Sequence, residues 1–290
     1  MKEHATREFY KYGKKARYFM LDELTLSHLL RDRNEFIEAG LPYGAAIARA
    51  VVKNNTDYVL EIGPGLGDLA IKFMEHAQGK VKHYVFLDIS KDLIKHVKKR
   101  VNGMSVIGDA MLLPFKKGSI DLIICNEVLA DLPIKRVNGK MINDGAIKAI
   151  RECIRLLRKN GKAVFIEVGG KAKRISVFGH EEYTIDFDEI ERVLRKNNTR
   201  YERGKIAKLL GINTKLRFVS PVTQAELVEL YKNSGMDKHK FSKIYSLEEF
   251  FTTFGNEKWL SKGYKQYLKK NARAIRELVE QFDYITIFKD

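Results

Sequence analysis

The stretch VLEIGPGLGDLA, Val59 to Ala70, constrains the fold more than any other: an aliphatic run meets three glycines, Gly63, Gly65 and Gly67, and passes straight into a helical pattern. Glycine tolerates positive φ and carries no Cβ, so such a loop can turn sharply and let a ligand approach the backbone closely. The neighbourhood repeats the arrangement. From Tyr58 to Gly170 short apolar runs alternate with amphipathic ones, the rhythm of a parallel sheet covered by helices on both faces. Strands are expected at 58–63, 83–89, 105–108, 120–125 and 162–168, and helices at 67–78, 90–101 and 144–159, with Ser90 as an N-cap and Gly161 as a C-cap. The fold class is α/β, a doubly wound Rossmann-like sheet.

The flanking segments read differently. Residues 1–54 form a helical N-terminal extension in this reading, with LTLSHLLRD and YGAAIARAVV as its clearer segments, and 55–170 form the core. Residues 171–217 are basic and read as a helical insertion. In 218–290, TQAELVELYKNSGM and KFSKIYS read as a helix feeding a strand, and a second helical insertion precedes the strand DYITIFKD. Those last two strands are expected to add to the sheet edge as an antiparallel pair.

The glycine loop and the acids around it specify the ligand class. Asp88 ends the second strand twenty-one positions after Gly67, where a carboxylate can accept the hydroxyl protons of a ribose. A dinucleotide fold uses GxGxxG to seat a pyrophosphate; here the spacing is GxGxG, with Glu61 before it and Asp68 after it. Two carboxylates repel a pyrophosphate but suit a cofactor with an amine and a sulfonium, S-adenosylmethionine. A cap or loop role is the competing reading of each acid. From about Asp57 to Gly170 the order of these motifs resembles the class I methyltransferases. The resemblance implies that Gly63, Gly65 and Gly67 line the methionine and adenosine, that Glu61 helps hold the amino-acid end, and that Asp88 takes the ribose. In GDAMLLPF it implies that Asp109 accepts from the adenine amino group and that Ala110 offers backbone contacts.

CNEVLADLP, Cys125 to Pro133, then falls where this fold receives the methyl acceptor. EIGPGLG resembles the loop of the KsgA-type rRNA dimethylases, which implies that Asn126 orients an exocyclic base amine, although Glu127 and Val128 stand where those enzymes carry a Pro-aromatic pair. An amide oxygen accepting an amine N–H localises the nitrogen lone pair toward the methyl group. NEVLADLP also resembles the MidA-like methyltransferases, which implies that Glu127 binds the guanidinium of a protein arginine. The structural alternative is that Asn126 caps a following helical turn and Glu127 is its first-turn acid.

Charge separates these substrates. Lys and Arg exceed Asp and Glu by 16 over 290 residues, a balance that attracts polyanions. A thermophile's charge-rich surface accounts for many charges but not for their imbalance. KAKR, RVLRKNNTRYERGK, KNSGMDKHK and KGYKQYLKKNAR interleave basic and aromatic residues, as phosphate contact and base stacking require. The expected partner is structured RNA, ribosomal RNA first among the candidates, methylated once or twice at a cytidine or adenosine amine. An arginine-bearing protein is the alternative substrate, and a non-catalytic cofactor-binding assembly factor is the alternative of another class. Aminopropyl transfer lacks its second acidic pair. Cys125 and Cys153 read as buried thiols, no CxxC or HExxH pattern supports a metal, and His28 and His180 read as surface or capping residues ahead of the alternative that they touch substrate. The first residues show no signal-peptide core and no run spans a membrane, so a cytoplasmic protein is expected.

Overall fold

The computed structural model describes residues 10, 25–33, 37–177, 180–211 and 279–290. In chain order the elements are α1 (Leu26–Leu29), α2 (Tyr43–Val51), β1 (Tyr58–Ile62), α3 (Asp68–His76), β2 (His83–Asp88), α4 (Lys91–Arg100), β3 (Met104–Ile107), β4 (Ile120–Asn126), the hairpin β5 (Lys135–Val137) and β6 (Lys140–Ile142), α5 (Asp144–Leu156), β7 (Leu157–Val168), the hairpin β8 (Arg174–Val177) and β9 (His180–Tyr183), α6 (Phe187–Lys196), β10 (Tyr201–Lys205), α7 (Ile206–Leu210) and β11 (Phe282–Phe288). One seven-stranded sheet runs β10-β11-β7-β4-β1-β2-β3. The five strands from β7 to β3 pair in parallel, and β11 is antiparallel to both β7 and β10.

Alternation along the strands sorts side chains into two cores, as a period of two dictates. Val59, Tyr84, Phe86, Leu122, Ile124, Val164 and Ile166 point to the face covered by α2, α3 and α4. Leu60, Val85, Leu87, Ile123, Cys125, Ala163 and Phe165 point to the other, where α5 and α6 pack. On the first face Gly44 of α2 lies against α3; a Cβ there would collide with the carbonyl of Leu69, so the helices touch backbone to backbone.

Each of the five expected core strands is present within one residue at its start, except β7, which begins at Leu157 rather than 162. Gly161 is accordingly not a helix C-cap. The helix stops at Leu156, and Leu157 pairs with Ile120 before the register shifts to Lys162 opposite Leu122. At the shift Asn160 adopts φ 63°, and a Cβ on Gly161 would stand 3.0 Å from the carbonyl of Asp121, so the glycine serves close strand approach. Ser90 does cap α4, its hydroxyl accepting from the Leu93 amide at 3.3 Å.

The helical reading of 171–217 holds only for α6 and α7 among its described residues. A hairpin precedes α6, and β10 follows as a sheet strand. β10 is the described neighbour of β11, so the strand beside DYITIFKD is YERGK; KFSKIYS and the rest of 212–278 lie outside the described residues. Asp283 of β11, buried, pairs with Lys205 at 2.7 Å and Arg203 at 3.2 Å, clamping β10 in register. Among the described residues no helix is long and apolar enough to cross a membrane.

Candidate active site

The first strand delivers the chain into the glycine loop at the carboxyl end of the parallel sheet, where open α/β folds place their ligands. Gly63 has φ 67° and its amide donates to the Leu87 carbonyl at 2.8 Å, tying the loop to β2. A Cβ on Gly63 would run into the Val128 side chain. Gly65, at φ 53°, lines the same opening. Gly67 does a different job. At φ 84° it occupies the N-cap position of α3, and its missing Cβ leaves room for Val97 of α4 and for Val101 at that helix's C-cap, away from the lining of either cleft described below.

Two clefts meet at Gly63, Gly65 and Glu127. The larger, about 640 Å³, is lined by Asp88, Asp109, Ala110, Leu87 and, from the N-terminal extension, Tyr10. Asp88 accepts from the Ser90 amide at 2.7 Å; burial pushes its carboxyl up to about 7 even though the Ser90 and Ile89 amides favour the anion. Asp109 folds its own turn, accepting from the Met111 amide at 3.0 Å. The smaller cleft, about 440 Å³, lies beyond the glycines and is lined by Glu61, Asp68, Asn126, Glu127, Ser27 and His28 among others. Glu61 sits beneath it, 2% exposed. Burial raises its carboxyl to about 7, opposed by the Tyr84 hydroxyl at 2.8 Å and reinforced by the charge of Asp88.

Asn126 and Glu127 come together at the head of β4, but neither caps a following helix. The short 3-10 turn Leu129–Asp131 has Val128 at its N-cap position and no side-chain cap. The Asn126 amide oxygen accepts from the buried Tyr43 hydroxyl at 2.5 Å, and its NH2 group donates to Glu127 at 2.9 Å. Glu127, held at φ 55° with its amide on the Ile166 carbonyl, accepts from the Leu26 amide with both carboxylate oxygens, at 2.9 and 3.2 Å. A strap, Thr25 to Leu30, is thereby fastened to β4. The Leu30 carbonyl accepts from the Tyr43 amide at 2.7 Å, and His28 Nδ1 lies 2.8 Å from Asp68, itself paired with Arg100 at 2.9 Å. Burial would raise Asp68, yet the hydrogen bond and charge of His28, with Arg100 and Arg31, hold it at about 2.

Residues 60–165 match the family model described as a methyltransferase domain. This segment is a methyltransferase domain. Its cofactor is S-adenosylmethionine. The residues fit that group: Gly63 leaves a space beside cleft-lining Val128 that a Cβ would close, a buried carboxylate ends β2, and a second lies under the loop. The chain is 24% identical over 180 residues to a demethylmenaquinone methyltransferase of Lactobacillus johnsonii, covering 60% of this chain and 66% of that one. It is 26% identical over 222 residues to an uncharacterised protein of Methanocaldococcus jannaschii, covering 76% and 74%. The fold is similar to that of Haemonchus contortus phosphoethanolamine N-methyltransferase 2 in complex with S-adenosyl-L-methionine, with TM-score 0.54, 14% identity, and coverage of 98% of this chain and 60% of that one. The chain thus spans roughly 60–66% of the length of two of these three.

Around the methyltransferase loop, the contacts of Tyr43, Glu167 and the strap went unread in the sequence, although the strap's helix lies in the segment LTLSHLLRD that was expected to be helical. His28, read as a surface or capping residue, is 7% exposed and holds the strap to Asp68. Tyr43 looked like the first residue of an ordinary helix, and no local pattern marks its contact with Asn126. Glu167, buried on β7, accepts from the amides of Ala130 and Val168 at 3.1 and 3.0 Å and so fixes the loop after Glu127. Its only signal was a carboxylate inside an aliphatic strand, VFIEV.

Proposed function

We propose that this methyltransferase acts on structured RNA, ribosomal RNA first among the candidates, at an exocyclic base amine such as cytidine N4 or adenosine N6. When bound, the cofactor supplies an electrophilic methyl group on a sulfonium. In this reading Asp88 holds the ribose, Asp109 and Ala110 the adenine edge, and Glu61 the ammonium end. The observation that carries the RNA reading is the hairpin β5–β6. It leaves the acceptor loop three residues after cleft-lining Leu132 and presents Lys135, Arg136 and Lys140, all exposed. In a chain of net charge +16, that arm supplies phosphate contacts beside a site whose own lining is acidic.

Asn126 positions the amine in this reading, because an amide oxygen has a second lone pair beyond the one given to Tyr43. The arginine alternative is disfavoured because the Glu127 carboxylate already serves as an anchor, accepting from the Leu26 amide with both oxygens and from the Asn126 NH2 group. The two differ in their sensitive residue: Asn126→Ala is expected to cost about 100-fold or more in kcat on RNA, on the scale of removing one positioning group, with Glu127→Gln milder. The reverse order of damage in steady-state kinetics supports arginine.

A small-molecule acceptor is the second reading, favoured by the strap, which roofs the cleft beside Asn126 and Glu127. Labelled methyl groups from the cofactor, offered to total RNA, protein and small-molecule fractions of a deletion strain, separate all three. Label in RNA is expected. Label confined to protein or to small molecules overturns the proposal.

A further inference from the structure

At the edge of the sheet opposite β10, β3 has β2 on one side and no strand on the other among the described residues. The Gly108 amide just past it donates to the Asp88 carbonyl at 2.9 Å, so alternation turns the N–H and C=O groups of Ser105 and Ile107 away from β2. Exposed edges are usually blunted by a lysine, a proline or a bulge. β3 reads MSVI and has none of these; its shortness is the one protection. Met104 and Ile107 are 51% and 54% exposed and Leu112, in the turn that follows, 76%, so this edge holds three of the four large apolar side chains exposed among the described residues. Register with β2 puts Met104 and Val106 on the face of Val85 and Leu87, and Ser105 and Ile107 on the face that α4 covers.

Charge then specifies what can dock. Arg100 of α4 reaches toward α3, bonding Asp68 at 2.9 Å and the Leu66 carbonyl, while Leu93, Ile94 and Val97 face the sheet. At about 100° per residue this leaves Lys91, Lys95 and Lys98, all exposed, on the opposite flank of α4, beside the open edge. Antiparallel pairing with a second copy would bring two such stripes together on one face, which like charge opposes. An RNA would satisfy the lysines but set phosphate oxygens against the outward carbonyls and leave the apolar side chains uncovered. A protein strand meets all three demands at once. We propose that the outer edge of β3 accepts an extended segment of a partner protein as an added strand, its acidic residues on the α4 side alternating with apolar residues against Met104 and Val106. This surface lies outside both clefts.

The test places p-benzoylphenylalanine in the full chain in place of Ser105, irradiates the cells that make it, and identifies the adduct by mass spectrometry. The expected adduct is a protein of net negative charge. Purified, it should bind the unaltered chain more weakly as salt rises and slow deuterium exchange at the Ser105 and Ile107 amides. Two variants separate backbone from charge. Ser105→Pro deletes an outward N–H that the chain's own ladder does not use, and Lys91→Gln, Lys95→Gln and Lys98→Gln together remove the stripe. Each variant is expected to weaken the partner about tenfold or more, and to bind S-adenosylhomocysteine within about twofold of the unaltered chain. If the proline variant loses that nucleoside, the lysine variant decides alone. An adduct to a second copy or to nucleic acid, the absence of any adduct, or a protein partner whose affinity the lysine variant leaves unaltered overturns the inference.

Discussion

Gly63 is a position where backbone and side-chain demands coincide. Its φ of 67° disfavours any L side chain, and the space a Cβ would occupy belongs to Val128. Gly63→Ala is expected to cost about 1–3 kcal/mol of stability, the usual scale for a non-glycine residue forced to positive φ, and to abolish cofactor binding because Val128 must shift into the cleft. Thermal denaturation and calorimetric titration check the two effects separately. Glu61 and Asp88 give a pH dependence with a definite sign. Both carboxyls are raised on folding, from ordinary values of 4.5 and 3.8 to about 7, so their contribution to stability is full below those ordinary values and lost as pH rises to about 7. Asp68 runs the other way: lowered to about 2, its contribution holds above 3.8 and is lost as pH falls toward 2. The cofactor-free chain is therefore expected to melt at lower temperature at pH 7.5 than at pH 5. A cationic ligand needs the anionic carboxylates, so affinity for S-adenosylmethionine should rise about tenfold from pH 6 to pH 8 and level off above, with proton release on binding below pH 7. Glu61→Gln should flatten the rise; an unchanged slope in that variant refutes the role given to Glu61.

Elements matter here through how closely they touch. The α2–α3 contact passes over Gly44, and Gly44→Ala must push its methyl into the Leu69 carbonyl, a backbone atom that cannot rotate away. A loss of about 1–3 kcal/mol is expected, as for an overpacked core, read as a lower denaturant midpoint with unchanged slope. Because α2 also carries Tyr43, the shift should loosen Asn126 as well. The sequence displayed some elements far better than others. β1, β2 and β4 are buried on both faces, so each reads as a short, mainly apolar run. β10 reads YERGK, with its residues half-buried or exposed, and an edge strand of that kind shows neither alternation nor an apolar run. The strap's helix was legible in LTLSHLLRD, but its attachment was not, because the bond from Leu26 to Glu127 joins positions 101 residues apart and no local pattern encodes it. The lining of the clefts was legible where the pattern is local, in EIGPGLG, Asp88 and Asp109. The contacts of His28, Tyr43 and Glu127 left no local mark, because their partners are distant in the chain.

For the molecule as a whole, charge and topology set the remaining expectations. If the β5–β6 hairpin meets phosphates, replacing Lys135, Arg136 and Lys140 by Ala should lower the slope of log affinity against log salt for single-stranded RNA by about 2, at roughly 0.7 for each phosphate no longer neutralised. Fluorescence anisotropy over a salt series measures it, and cofactor affinity should stay constant. An unaltered slope removes the hairpin from the interface. The arrangement of the sheet has a further consequence, in the order of events rather than in energy. β10 reaches the rest of the sheet through β11, and β11 arrives only at Phe282, long after β7 has ended at Val168. During synthesis at about 5–20 residues per second, the outer edge of β7 therefore waits roughly 6–23 seconds for its neighbour. For that interval a long, apolar strand edge stands open to any passing strand, which makes the nascent chain, more than the finished one, the form in need of protection.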